Sequence, residues 1–160
     1  MISLKTYFCI EDAIVPLDKL SKNILDPEYI EGSLELKINN VTFVDKETWD
    51  DISDLWSYLI NGLEELIVKN ADQVFVSFPG ESIELNFERV ASSETIQVKV
   101  NWPGLKQATV SLIEFYKTIF AESERYYEKM LLLIQNAEYI GYNQMELERV
   151  RYLKEKVLVK

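Results

Sequence analysis

The sequence predicts an α+β domain: an antiparallel sheet of about five strands, two long helices packed on one of its faces, and a short C-terminal helix. Three observations lead there. Several stretches alternate apolar and polar residues, which gives a strand one buried side. Two longer stretches repeat apolar residues at steps of three and four, the stripe of an amphipathic helix. Short turns such as Pro79-Gly80 separate successive strands, and turns of that length join antiparallel neighbours. A chain of 160 residues is the length of one domain, expected over 1–160.

The first strand, Ile2–Ile10, sets Ile2, Leu4, Thr6, Phe8 and Ile10 on one face and Ser3, Lys5, Tyr7 and Cys9 on the other. Pro16 and Pro27 then bracket Leu17 to Leu25, a piece suited to one or two helical turns. A second strand opens at Gly32 with Leu34, Leu36 and Ile38 inward, and its pattern extends into Val41 to Val44. The first helix, capped by Thr48 or Asp45, carries the stripe Trp49, Ile52, Leu55, Trp56, Leu59, Ile60, Leu63, Leu66 and Ile67. Gly62 weakens its middle by about 1 kcal/mol relative to Ala.

Three strands follow as a meander, Gln73–Phe78, Ser82–Val90 and Thr95–Trp102. Ser111 and Glu114 form a capping box for the second helix, whose stripe runs from Leu112 through Phe115, Ile119, Phe120, Tyr126, Tyr127 and Met130 to Ile134. Gly141 ends or breaks that helix, and Asn143 with Glu146 restarts a shorter one. Residues 141–160 can pack on the body or reach a second chain.

The chain has no histidine and one cysteine, Cys9. That removes the most usual general base, every Ser-His or Cys-His nucleophilic pair, and zinc sites built from Cys and His. No phosphate-cradling glycine loop and no nucleophile elbow replaces them. The expectation is a protein that is not an enzyme and that has no catalytic, cofactor-binding or metal residues. With no long apolar run and no paired cysteine, a cytoplasmic location without membrane contact is expected.

The net charge of −10 is unevenly placed: residues 1–80 carry 15 acids against 6 bases, and residues 81–160 carry 12 against 11. Such a field repels nucleic acid and attracts a basic protein partner. Placed on the first helix, Glu47, Asp51, Asp54, Tyr58, Asn61 and Glu65 fall along one outward strip, opposite the tryptophans. Carboxylates there could stand in for phosphates in the basic cleft of an enzyme that acts on nucleic acid, with Tyr58 as the aromatic anchor. The alternative is that these acids complement the helix N-terminus and are otherwise solvated. Trp49 and Trp56 read as core anchors, and Trp102, before Pro103-Gly104, as a residue on an exposed rim.

The middle of the chain runs from W-x-x-I-x-x-L-W-x-x-L (Trp49 to Leu59) through V-F-V-S-F-P-G (Val74 to Gly80). It continues through I-E-L-N-F-E-R-V (Ile83 to Val90) to V-S-L-I-E-F (Val110 to Phe115). This layout resembles that of small acidic bacterial proteins of uncharacterised families, several of which are similar to immunity proteins paired with secreted toxins. The resemblance spans roughly residues 45–135 and implies an inhibitor that occludes a basic toxin or enzyme. Two other classes stay open: a small enzyme or small-molecule binder with a pocket between sheet and helices, and a homo-oligomeric structural protein.

Overall fold

The computed structural model describes residues 1–21, 28–91 and 93–158. Strand β1 (Ile2–Ile10) turns at Glu11-Asp12 into the short β2 (Ala13–Pro16). A single 3-10 turn, Leu17–Lys19, follows; of the predicted helical piece, residues 22–25 lie outside the described residues. Strand β3 (Glu31–Ile38) pairs antiparallel with β1. It does not run on into Val41 to Val44. Asn39 and Asn40 adopt φ of 51° and 66°, the pair of left-handed residues that a tight hairpin needs, and the chain folds back as β4 (Val41–Val44).

Two residues, Asp50–Asp51, form β5 against Gly32 and Glu31. That pairing keeps the backbone extended up to Asp51, so helix α1 (Ile52–Ile67) begins later than its stripe suggested. Asp51, rather than Thr48 or Asp45, is its cap, accepting from the amides of Ser53 and Asp54 at 3.1 and 3.2 Å.

The meander then forms a sheet of its own, β6 (Gln73–Ser77), β7 (Glu84–Arg89), β8 (Thr95–Val100) and β9 (Lys106–Ser111), in that order. The architecture is α+β, with two antiparallel sheets of five and four strands in place of one sheet of about five. Alternation fixes which side of a strand is buried but not which strands become neighbours.

Helix α2 (Leu112–Leu133) starts at the Ser111 cap, whose hydroxyl accepts from Glu114 N at 3.4 Å. Helix α3 (Ala137–Leu158) is 22 residues long, not short. The break falls at Ile134 to Asn136, where Asn136 Oδ1 accepts from Glu138 N at 3.0 Å. Gly141 lies inside α3 on its solvent side, where a glycine costs helix propensity without stopping the helix. Residues 137–158 pack along α2 and touch α1. No helix among the described residues is long and apolar enough to cross a membrane.

One core serves both sheets. Helix α1 packs on β3 and β6, and α2 on β1, β8 and β9. At its centre Trp56 is fully buried and stacks at 5.9 Å on Tyr126, which stacks in turn on Phe8 at 6.3 Å. Trp49 precedes the helix and is half-buried, so Trp56 alone of the two is a deep anchor.

Glu122 is an exception to this apolar interior. It reaches from α2 to β1, where its Oε2 accepts from Thr6 N at 2.6 Å and its Oε1 from Arg125 at 2.5 Å. Burial raises its pKa above the ordinary value, although these two donors pull the other way. A carboxyl with a raised folded-state pKa stabilises the fold below its ordinary pKa, and that contribution is lost as pH rises through the raised value. Relative to Glu122→Gln, the wild type should therefore lose stability as pH rises from about 4.5 through the raised value. Urea midpoints of both proteins at acid and neutral pH measure this; a gap that does not move with pH would contradict it.

Candidate protein-binding groove

Along β6 the sheet ends. No described strand pairs with its outer side, and α1 runs beside it. The approach is close because α1 presents Gly62 there: a Cβ at that position would meet Val76 Cγ2 at 3.1 Å and Val74 Cγ2 at 3.4 Å. The start of α1 is fixed by Asp50. Its two carboxylate oxygens accept from Gly80 N at 3.0 and 2.9 Å, and Oδ1 also accepts from Asp51 N at 2.7 Å. This buried acid ties the Pro79-Gly80 turn, which follows β6, to the helix N-terminus. A Cβ at Gly80 would lie 3.0 Å from Asp50 Oδ1, so a side chain there would press on this carboxylate.

Between helix and strand lies a groove of about 290 Å³, lined by Tyr58, Asn61 and Glu65 on the α1 side and by Val74 to Ser77 on the β6 side. Tyr58, on the wall of the groove, is 41% exposed. Asn61 is held from behind, its Oδ1 accepting from Arg149 of α3 at 2.7 Å; the same guanidinium contacts Glu64 at 3.2 Å and the buried Glu146 at 2.8 Å. Glu65 pairs with Lys69 at 3.8 Å, an exposed contact that leaves its charge available to a partner.

Of the six residues read as one strip, the structure brings Tyr58, Asn61 and Glu65 together in the groove, with Asp54 exposed one turn earlier on α1. Asp51 is not on that surface. It is buried and its carboxylate is used as the helix cap. Glu47 lies in the turn before β5, outside the helix, with its amide bonded to Asp45 Oδ1 at 2.7 Å. Both follow from the late start of α1. The sequence reading missed the β6 side. Its available signal was Phe75, an aromatic on the polar side of the Gln73–Phe78 alternation, which is 59% exposed.

Two further spaces border the core. The cavity where both sheets meet α1 and α2 is about 20 Å³ and is lined by apolar side chains such as Leu34, Leu59, Phe87 and Phe115, too small for a substrate. A cleft of about 440 Å³ between the end of α1 and the start of α2 contains Arg89, whose guanidinium already donates to Asn70 Oδ1 at 2.7 Å, Leu66 O and Tyr116 Oη. The bases of α3 are also engaged: Arg151 with Glu124 and Glu128, and Lys154 with Glu124. Cys9 is half-buried, and burial raises its thiol pKa, which disfavours the nucleophilic thiolate. Trp102 is 59% exposed at the β8–β9 turn, on the rim where the sequence put it.

Comparison with protein-family models, with curated proteins and with solved structures gives no match.

Proposed function

We propose that the protein is a non-catalytic, acidic protein-binding module, and in its sharper form an immunity-type inhibitor that covers a basic surface of a toxin or enzyme. The observation that carries this reading is the half-exposed Tyr58 set among Asp54, Asn61 and Glu65 beside an open groove. An aromatic anchor on a helix face that also carries Asp54 and Glu65 suits a cation-rich partner: the acids steer the encounter and the ring holds it. The resemblance in layout to immunity-like proteins supports the same class. Inhibition would be occlusion, requiring no chemistry from this chain.

The test pairs capture with charge reversal. Tagged protein drawn from its native cells should retain one stoichiometric basic partner whose activity is suppressed while bound. The variant Asp54→Lys/Glu65→Lys should lose at least about tenfold in affinity, since like charges now face each other, and keep the wild-type melting temperature. Unchanged affinity would remove this face from consideration.

A further inference from the structure

Natural sheets seldom leave a flat, apolar edge open, because its unpaired amides and carbonyls invite another strand. The free edges of this protein differ in how they are guarded. β2 ends in Pro16. The β3–β4 pairing carries a register shift at Leu36/Lys37, and Lys106, the first residue of β9, caps Thr42 O of β4 at 2.7 Å. β6, of sequence QVFVS, has no proline and no lysine, and its pairing with β7 runs without a shift.

The direction of its backbone groups follows from two bonds at its ends. Arg89 N donates to Asp72 O at 2.8 Å and Phe78 N to Ile83 O at 2.9 Å, so the even-numbered residues face β7. Gln73, Phe75 and Ser77 therefore turn their N–H and C=O outward. The side chains alternate in step. Val74 and Val76 point to the α1 side of the sheet, and Phe75 to its open face.

We propose that the outer edge of β6 accepts an extended basic segment of another protein as an added antiparallel strand, the orientation of every strand pair among the described residues. This rests on the acidic-module reading above and names how the partner docks. Residues of the incoming segment opposite Val74 and Val76 extend toward Tyr58, Asn61 and Glu65, so basic side chains belong there; a cation over Tyr58 is also favourable. Residues opposite Phe75 lie on the open face beside its ring, so apolar side chains belong there. Charge selects the occupant. A second copy of this chain would bring Glu65 and its neighbouring acids against their own kind, whereas a lysine-bearing strand neutralises them.

The probe is a capped peptide of alternating Val and Lys spanning seven residues, with binding followed by calorimetry and by hydrogen exchange at single amides. Binding should protect the Phe75 and Ser77 amides. A peptide N-methylated on its Val residues loses the amides that face β6 and should bind at least about tenfold more weakly, whereas N-methylation on Lys should leave affinity within about twofold. Ser77→Pro removes one outward amide at a position where an edge strand tolerates proline, and should weaken the unmodified peptide similarly. The N-methyl comparison stands even if that variant folds poorly.

If the peptide does not bind, or the two N-methylated peptides bind alike, strand addition is overturned. In the second case, loss of binding in Asp54→Lys/Glu65→Lys would leave the acidic-module reading standing alone. If the chain by itself forms a dimer that Ser77→Pro dissociates, the edge serves a second copy and the basic partner is overturned.

Discussion

Trp56→Ala should destabilise the protein by about 3–5 kcal/mol, the usual cost of truncating a fully buried large aromatic side chain. The indole sits where α1, α2 and β1 meet, stacked on Tyr126, which in turn stacks on Phe8. Its removal leaves a cavity that α2 and β1 would have to collapse to fill. Among the described residues its Nε1 has no hydrogen-bond partner, so the loss is one of volume and contact. Trp56→Phe should accordingly recover most of it. Urea denaturation followed by circular dichroism measures both variants; a loss below about 1 kcal/mol for the alanine would mean that the core is loosely packed at this point.

Asp50→Ala should cost about 3 kcal/mol, because it strips a buried charged acceptor from two backbone amides. Both Gly80 N and Asp51 N would lose their partner, and the Asp51 amide lies in a buried stretch of chain. Asp50→Asn keeps one acceptor oxygen and should restore about half of that stability. The same variant tests the groove. With the Pro79-Gly80 turn released from the helix start, the far end of β6 should gain hydrogen exchange before the rest of its sheet does. Uniform exchange across β6 to β9 would show that the tie is merely local.

The stripe of α1 was readable because every spacing in it is local: Ile52, Leu55, Trp56, Leu59, Ile60, Leu63 and Leu66 are all buried. Its first turn was not, because Asp50 and Asp51 are held extended by β3, some twenty residues earlier in the chain. The strand β9 was missed for a similar reason. Its Lys106–Ser111 stretch has only Ala108 and Val110 as apolar residues, and it is a strand because β8 lies beside it. Gly141 misled in the other direction: a solvent-side glycine looks the same in sequence whether a helix ends there or passes through. At the candidate site, Tyr58, Asn61 and Glu65 follow from helical spacing alone. That they border an open strand edge depends on which strands pair, and pairing of that kind leaves no periodic mark in a sequence.

Gly62 has a mechanical meaning beyond its cost in helix propensity. At this one position helix backbone meets the methyls of Val74 and Val76 with no side chain of the helix residue between them. The two walls of the groove are thus in direct contact at Gly62, and the opposite side of α1 is buried in the deep core. A surface built this way is already shaped before any contact is made. Whatever docks there meets a rigid template, and little of the association free energy is spent on ordering this chain.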